Sequence, residues 1–165
     1  MRRSLLMFAL LSTACGGPPL TVEVAASPAS LEALPAYLSA PGLEDHVREV
    51  AGAMAEGWDG DGSALDGHVI RFEQQLIQCG EVDLAVGCAR GDEPVIDLLA
   101  WGSACVEATV LAHEVGHVVI GDSAHADPRW RDPHFWGRLR EIAVRTAPKG
   151  CDLSRFVERN EVHDD

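Results

Sequence analysis

His113, Glu114 and His117 stand in the order His-Glu-x-x-His, within the run CVEATVLAHEVGHVVIGDSAHADPRWRDPHFW that covers residues 105 to 136. Residues four apart share one face of an α-helix, with Cβ atoms about 5 to 6 Å apart. Imidazoles at 113 and 117 can therefore converge on one metal ion at Zn–N distances of ~2.0 to 2.1 Å. Glu114 is turned by about 100° from His113, which sets its carboxylate beside the ligands instead of among them. From there it can take a proton from a zinc-bound water and pass it to a leaving amine. With seven His and thirteen Glu in the chain, random placement would give this spacing with a probability of roughly 2%. The surroundings sharpen the signal. Val106, Val110, Leu111, Val115, Val118, Val119 and Ile120 make the segment strongly apolar, so two His and a Glu would be costly there unless metal or hydrogen bonds satisfied them. Gly116 is a poor helix former, and its missing side chain would let another element approach closely.

The positioning elements follow from pattern. Leu43, Val47, Val50, Ala51 and Met54 form a helical stripe introduced by Pro41 and Gly42. The segment WDGDGSALDG, residues 58 to 67, reads as a polar turn: a calcium loop fails because Ala64 stands at the turn glycine and Ile70 at the bidentate Glu. Strands are expected in HVIRF (68 to 72), LAVGC (84 to 88) and PVIDLL (94 to 99). Helices are expected from Cys105 to about Ile120 and from Phe135 to Thr146. The second has Asp132 as N-cap, Pro133 in the first turn, an apolar face of Phe135, Leu139, Ile142 and Ala143, and Pro148 beyond its end. Helix, strands, helix, helix describes an α+β domain, with a small sheet packed on the His-Glu-x-x-His helix and a C-terminal helix.

On these residues the chain resembles a small zincin-type metallopeptidase domain, the superfamily defined by HExxH on its active-site helix. The resemblance rests on residues 105 to 136. It implies a strand over the site against which an extended peptide pairs, and DLLAW at 97 to 101 is the candidate. The metzincin continuation would need Gly at 120 and His at 123, but Ile120 and Ser123 stand there, and no Met follows Met54. What remains, a glycine exit at Gly121 and then HADPRW, is similar to compact bacterial zincins of the SprT-like kind, in which a His shortly before a Trp completes the site.

His125 is accordingly the expected third ligand, since Gly121 can stop the helix and residues 122 to 124 can turn the chain back. His134 and Glu141 are the rivals, the first at the start of the last helix, the second in a gluzincin-like place or paired with Arg138 or Arg145. Asp127 is expected to turn the Asp-Pro segment or to orient a ligating His. No Tyr follows Tyr37, so Arg129, Arg131 or His134 would have to steady an oxyanion. Trp130, Phe135 and Trp136 read as core anchors, and His46, His68 and His163 as structural or exposed.

Composition limits the partners. A formal charge of −13 over 165 residues argues against nucleic acid, which is recruited by clustered Lys and Arg. The first residues, MRRSLLMFALLSTAC, have a basic start, an apolar run from Leu5 to Leu11 and a cysteine after small residues. They resemble a bacterial lipoprotein signal, which implies a signal peptide over residues 1 to 14, a lipid on Cys15, a tether over 15 to 30 and a folded domain over 31 to 165. Loss of Arg2 and Arg3 would leave a charge of −15. Gly16 resembles the outer-membrane sorting signal. Cys79, Cys88, Cys105 and Cys151 are then expected to form two disulfides, Cys79 with Cys88 being the local choice.

The expected protein is a lipid-anchored, monomeric zinc peptidase of the bacterial envelope acting on peptides or proteins, with His113, His117 and His125 on Zn2+ and Glu114 as general base. The alternative is a non-catalytic zinc-binding lipoprotein, or a degenerate peptidase acting as a binding module.

Overall fold

A computed structural model describes residues 17–25, 36–39, 41–100 and 104–146. The leader, Cys15, Cys151 and His163 fall outside them, as does the side chain of Cys105.

The chain is α+β, as its pattern implies. Strand β1 (Thr21–Val24) precedes helix α1 (Leu43–Gly57). Strands β2 (Val69–Glu73), β3 (Ile77–Cys79), β4 (Val82–Ala85), β5 (Gly87–Ala89) and β6 (Val95–Leu99) follow, then helices α2 (Ala104–Ile120) and α3 (Pro133–Thr146). A four-stranded sheet has the order β1-β2-β6-β5, with β3 and β4 forming a separate hairpin. β1, β2 and β6 are parallel, and β5 runs antiparallel to β6.

Strand alternation gives the sheet two chemically distinct faces. Ile70 pairs with Ile96 and Phe72 with Leu98, and all four are buried in one core with Met54, Trp58, Leu111, Val115 and Leu139 from the helices. On the other face Arg71, Asp97 and Cys88 lie in register. Asp97 is fully buried there, answered by Arg90 at 2.6 Å and Arg71 at 3.5 Å. The Cys79–Cys88 disulfide ties the end of β3 to β5 on this side, the local pairing expected from spacing.

Three sequence expectations are corrected. Thr21–Val24, assigned to the tether, is a sheet strand in register with Thr21 on Val69, and Leu20 just before it is buried. The folded part therefore begins before residue 31. The run LAVGC divides at Val86: Leu84 and Ala85 belong to the hairpin, whereas Gly87 and Cys88 belong to the main sheet. DLLAW is also not an open edge. Asp97 to Leu99 lie in β6, bonded to β2 on one side and β5 on the other, so the exposed border near α2 is β5.

Trp58, the first residue of the expected polar turn, is a core residue. Its ring packs at 4.5 Å from Trp130 and Phe135 and 5.5 Å from Trp136, and its Nε1–H donates to the Ala112 carbonyl at 2.7 Å. One side chain thus fixes the end of α1 to the middle of α2 and the start of α3. The rest of the segment is a turn, with Asp61 capping a short 3-10 turn at Gly62–Leu65, but Leu65 too is buried in the core.

Candidate metal centre

α2 begins at Ala104 and stops at Gly121, where φ of +62° suits glycine and the Gly121 N–H closes on the His117 carbonyl at 3.0 Å. His113 and His117 lie one turn apart on its partly open face, while Glu114 is only 6% exposed. Gly116 is where two aromatic rings press on the helix: a Cβ there would lie 2.5 Å from the Trp58 ring and 2.8 Å from Trp130. Another element does approach at Gly116, and it is an aromatic one.

The chain returns through Asp122. Its carboxylate accepts from the Ala124 N–H at 2.9 Å, the Asp127 N–H at 2.7 Å and the Trp130 Nε1–H at 3.1 Å. These bonds close a tight loop and hold the carboxyl below its ordinary range, the Asp127 N–H contributing most. The loop presents His125 with φ of +54°, a left-handed backbone that a non-glycine residue adopts only where its surroundings hold it.

The result is a convergence of three imidazoles. His113 Nε2 is 3.1 Å from His117 Nε2 and 3.1 Å from His125 Nε2. His113, His117 and His125 form a group whose potential ligand atoms all lie within 4.8 Å of one another, close enough to hold a metal ion. His117 Nδ1 is 2.6 Å from the Asp122 carbonyl oxygen. A carbonyl only accepts, so Nδ1 carries the hydrogen and Nε2 turns its lone pair inward. Burial pushes the His117 pKa down, towards the neutral form that a metal requires, against the opposing effect of the Asp122 contacts. Trp130 lies behind all three rings, at 4.9, 4.7 and 4.6 Å from His113, His117 and His125.

Glu114 leaves the histidine cluster for the sheet. Its Oε2 accepts from the Ala89 N–H of β5 at 2.8 Å. Burial raises the carboxyl pKa to about 7, with the Ala89 hydrogen bond pulling the other way. A carboxyl poised there can both take up and release a proton near neutrality.

The remaining sequence candidates stand elsewhere. His134 and Glu141 are exposed on α3, and neither belongs to the histidine group. Asp127 does not touch a histidine ring; it caps the turn at Pro128–Arg131 and pairs with Arg129 at 2.9 Å, which holds its pKa at about 2. Arg129 is committed to Asp127, to the Trp58 carbonyl at 2.9 Å and to Asp59 at 3.6 Å. Arg131 is exposed. Trp130, Phe135 and Trp136 are buried, as expected of anchors. His46 and His68 take no part in the cluster.

Sequence reasoning missed Asp122, Trp58, Gly87 and Ala89 as residues that shape the site. Trp58 carried a usable signal, since it continues the α1 stripe four residues after Met54. Asp122 carried a weaker one, an acidic residue directly after a helix-stopping glycine. Comparison with protein-family models, with curated proteins and with solved structures finds no match to this chain.

Proposed function

We propose that this protein is a zinc-dependent peptidase of the zincin type, with His113, His117 and His125 as metal ligands and Glu114 as general base. The observation that carries the reading is the meeting of three imidazole nitrogens, with a buried carboxyl at Glu114, the residue after the first of them.

The donor set fits zinc. Tetrahedral zinc with bonds of ~2.0 to 2.1 Å separates its nitrogen ligands by about 3.3 Å, and His113 Nε2 lies 3.1 Å from both His117 Nε2 and His125 Nε2, with the potential ligand atoms of all three histidines within 4.8 Å of one another. Ring nitrogens this close need either a hydrogen or a cation between them, and one cation can serve all three at once. Three protein nitrogens leave a fourth position, the pattern of catalytic and not of structural zinc sites. When bound, zinc would acidify a water and polarise a scissile carbonyl as a Lewis acid.

The chain's own residues supply the rest. Glu114 accepts the proton of the attacking water and delivers it to the departing amine, a task suited to a desolvated carboxyl whose pKa is raised to about 7 in the metal-free protein. The Asp122 carbonyl keeps His117 in the ligating tautomer. The Asp122 carboxylate holds the loop that presents His125. β5 is the open border of the sheet next to α2, so an extended peptide pairs there, not on β6. Of Arg129, Arg131 and His134, Arg129 is already engaged by Asp127, Asp59 and the Trp58 carbonyl, which leaves the exposed Arg131 and His134 as the candidates to steady an oxyanion. Export, the lipid on Cys15 and attachment to the outer membrane complete the reading on the strength of the leader sequence.

The test is hydrolysis of a mixed peptide library and of whole envelope proteins by zinc-loaded protein, beside Glu114→Ala. Cleavage by the wild type, slowed by about 10²- to 10⁴-fold in the variant, is expected. Zinc bound with equal inactivity of both would leave a metal-binding lipoprotein.

A further inference from the structure

β5 consists of only three residues, and two of them bear on Glu114. The Leu99 N–H bonds the Val86 carbonyl and the Arg90 N–H bonds the Val95 carbonyl. Cys88 pairs with Asp97 between them. Residues 86, 88 and 90 thus direct their backbone groups to β6, and Gly87 and Ala89 direct theirs to the open border. Ala89 spends its N–H on Glu114 Oε2. Gly87, on the same face of the strand, lies against the other carboxylate oxygen: a Cβ at this position would fall 2.6 Å from Glu114 Oε1 and 2.9 Å from its Cγ, and would overlap Val110 Cγ1. No side chain fits there without moving the carboxylate. Cys88, between the two, is anchored to Cys79, so the strand cannot easily shift away to make room.

We propose that Gly87 is a positioning residue for Glu114: its missing side chain opens the slot in which the carboxylate sits, with Oε2 fixed by Ala89 and Oε1 left to receive the proton. This inference rests on the peptidase reading. Its role is indirect, since Gly87 touches the base and not the metal. A carboxylate displaced by about 1 Å would still leave the three histidines where they are, so zinc binding and catalysis should separate.

The experiment uses the full chain loaded with zinc. Gly87→Ala is combined with Val110→Ala, which removes the overlap with the valine and leaves that with Glu114, and Val110→Ala alone is the control. The double variant should keep its zinc and its KM while kcat falls by about 10- to 100-fold relative to the control. In a Glu114→Gln background the glycine substitution should change kcat by less than about twofold, because the base is already lost. The Ala89 amide resonance, followed by 15N-labelled NMR, should move in both Gly87→Ala/Val110→Ala and Glu114→Ala. An unchanged kcat, or an equal loss in the Glu114→Gln background, would overturn the proposal. A wild type that cleaves no peptide would also overturn it. In that case an Ala89 resonance responsive to Glu114→Ala would place the failure in the peptidase reading, and an unresponsive one would place it in the contact itself.

Discussion

Replacing Glu114 by Gln should stabilise the metal-free protein, and only at high pH. The carboxyl is 6% exposed and held at about 7 against an ordinary 4.5. Ionising it in the folded protein therefore costs about 3 kcal/mol more than in the unfolded chain. The direction follows from proton counting. Between pH 4.5 and 7 the folded protein keeps a proton that the unfolded chain releases, so stability falls as pH rises through that window, and the loss is complete somewhat above pH 7. Glutamine has the same shape, can still accept the Ala89 N–H through its oxygen, and does not titrate. The two proteins should be of similar stability at pH 5, and the variant should lead by about 2 to 3 kcal/mol at pH 8.5. Urea unfolding in the presence of a chelator at the two pH values measures this directly, as a midpoint difference of about 1 to 2 M that appears only at the higher pH. All other groups titrate alike in both proteins. Added zinc should shrink the gap, because a nearby cation favours the carboxylate. A difference independent of pH, or none, would refute the claim that Glu114 is held in a desolvated slot.

Three further outcomes follow from neighbouring contacts. Asp122→Ala removes the acceptor for Ala124, Asp127 and Trp130 and should weaken zinc binding by about 10- to 100-fold in a chelator competition, with helical circular dichroism retained. Gly116→Ala drives a methyl into Trp58 and Trp130 and should cost about 1 to 3 kcal/mol, read as a lowered Tm in the metal-free protein. Asp127 is held at about 2 chiefly by its Arg129 hydrogen bond, so its contribution is present above the ordinary carboxylate range and is lost as pH falls from about 4 towards 2; Asp127→Asn should flatten that part of the acid-unfolding curve.

The site was more legible in the sequence than the sheet that serves it. His113 and His117 are bound by helical periodicity, and His125 by a short loop after a glycine stop, so local rules suffice to bring them together. The Cys79–Cys88 bridge and the capped α3 are local in the same sense. The sheet depends on pairings between distant segments. Nothing within TVEV announces that it will lie beside β2, because an isolated alternating run of four residues gains its stability only from the partner. Likewise the break at Val86 has no composition signal: one apolar run serves two sheets because the hairpin turns and the disulfide then fixes Cys88. The choice of β5 over β6 as the open border is a fact of strand order, which spacing does not encode. Asp122 and Gly87 were hidden for a related reason, since each acts through contacts made only after the chain has folded back.

The central claim, that three histidines hold a zinc ion with one position left to solvent, meets its most direct test in the zinc X-ray absorption spectrum of the loaded protein. One zinc per chain is expected, with three imidazole nitrogens at ~2.0 to 2.1 Å and one light solvent atom, and with the imidazole count falling to two in His125→Ala. A sulfur shell, or an imidazole count that His125→Ala leaves unchanged, would contradict it.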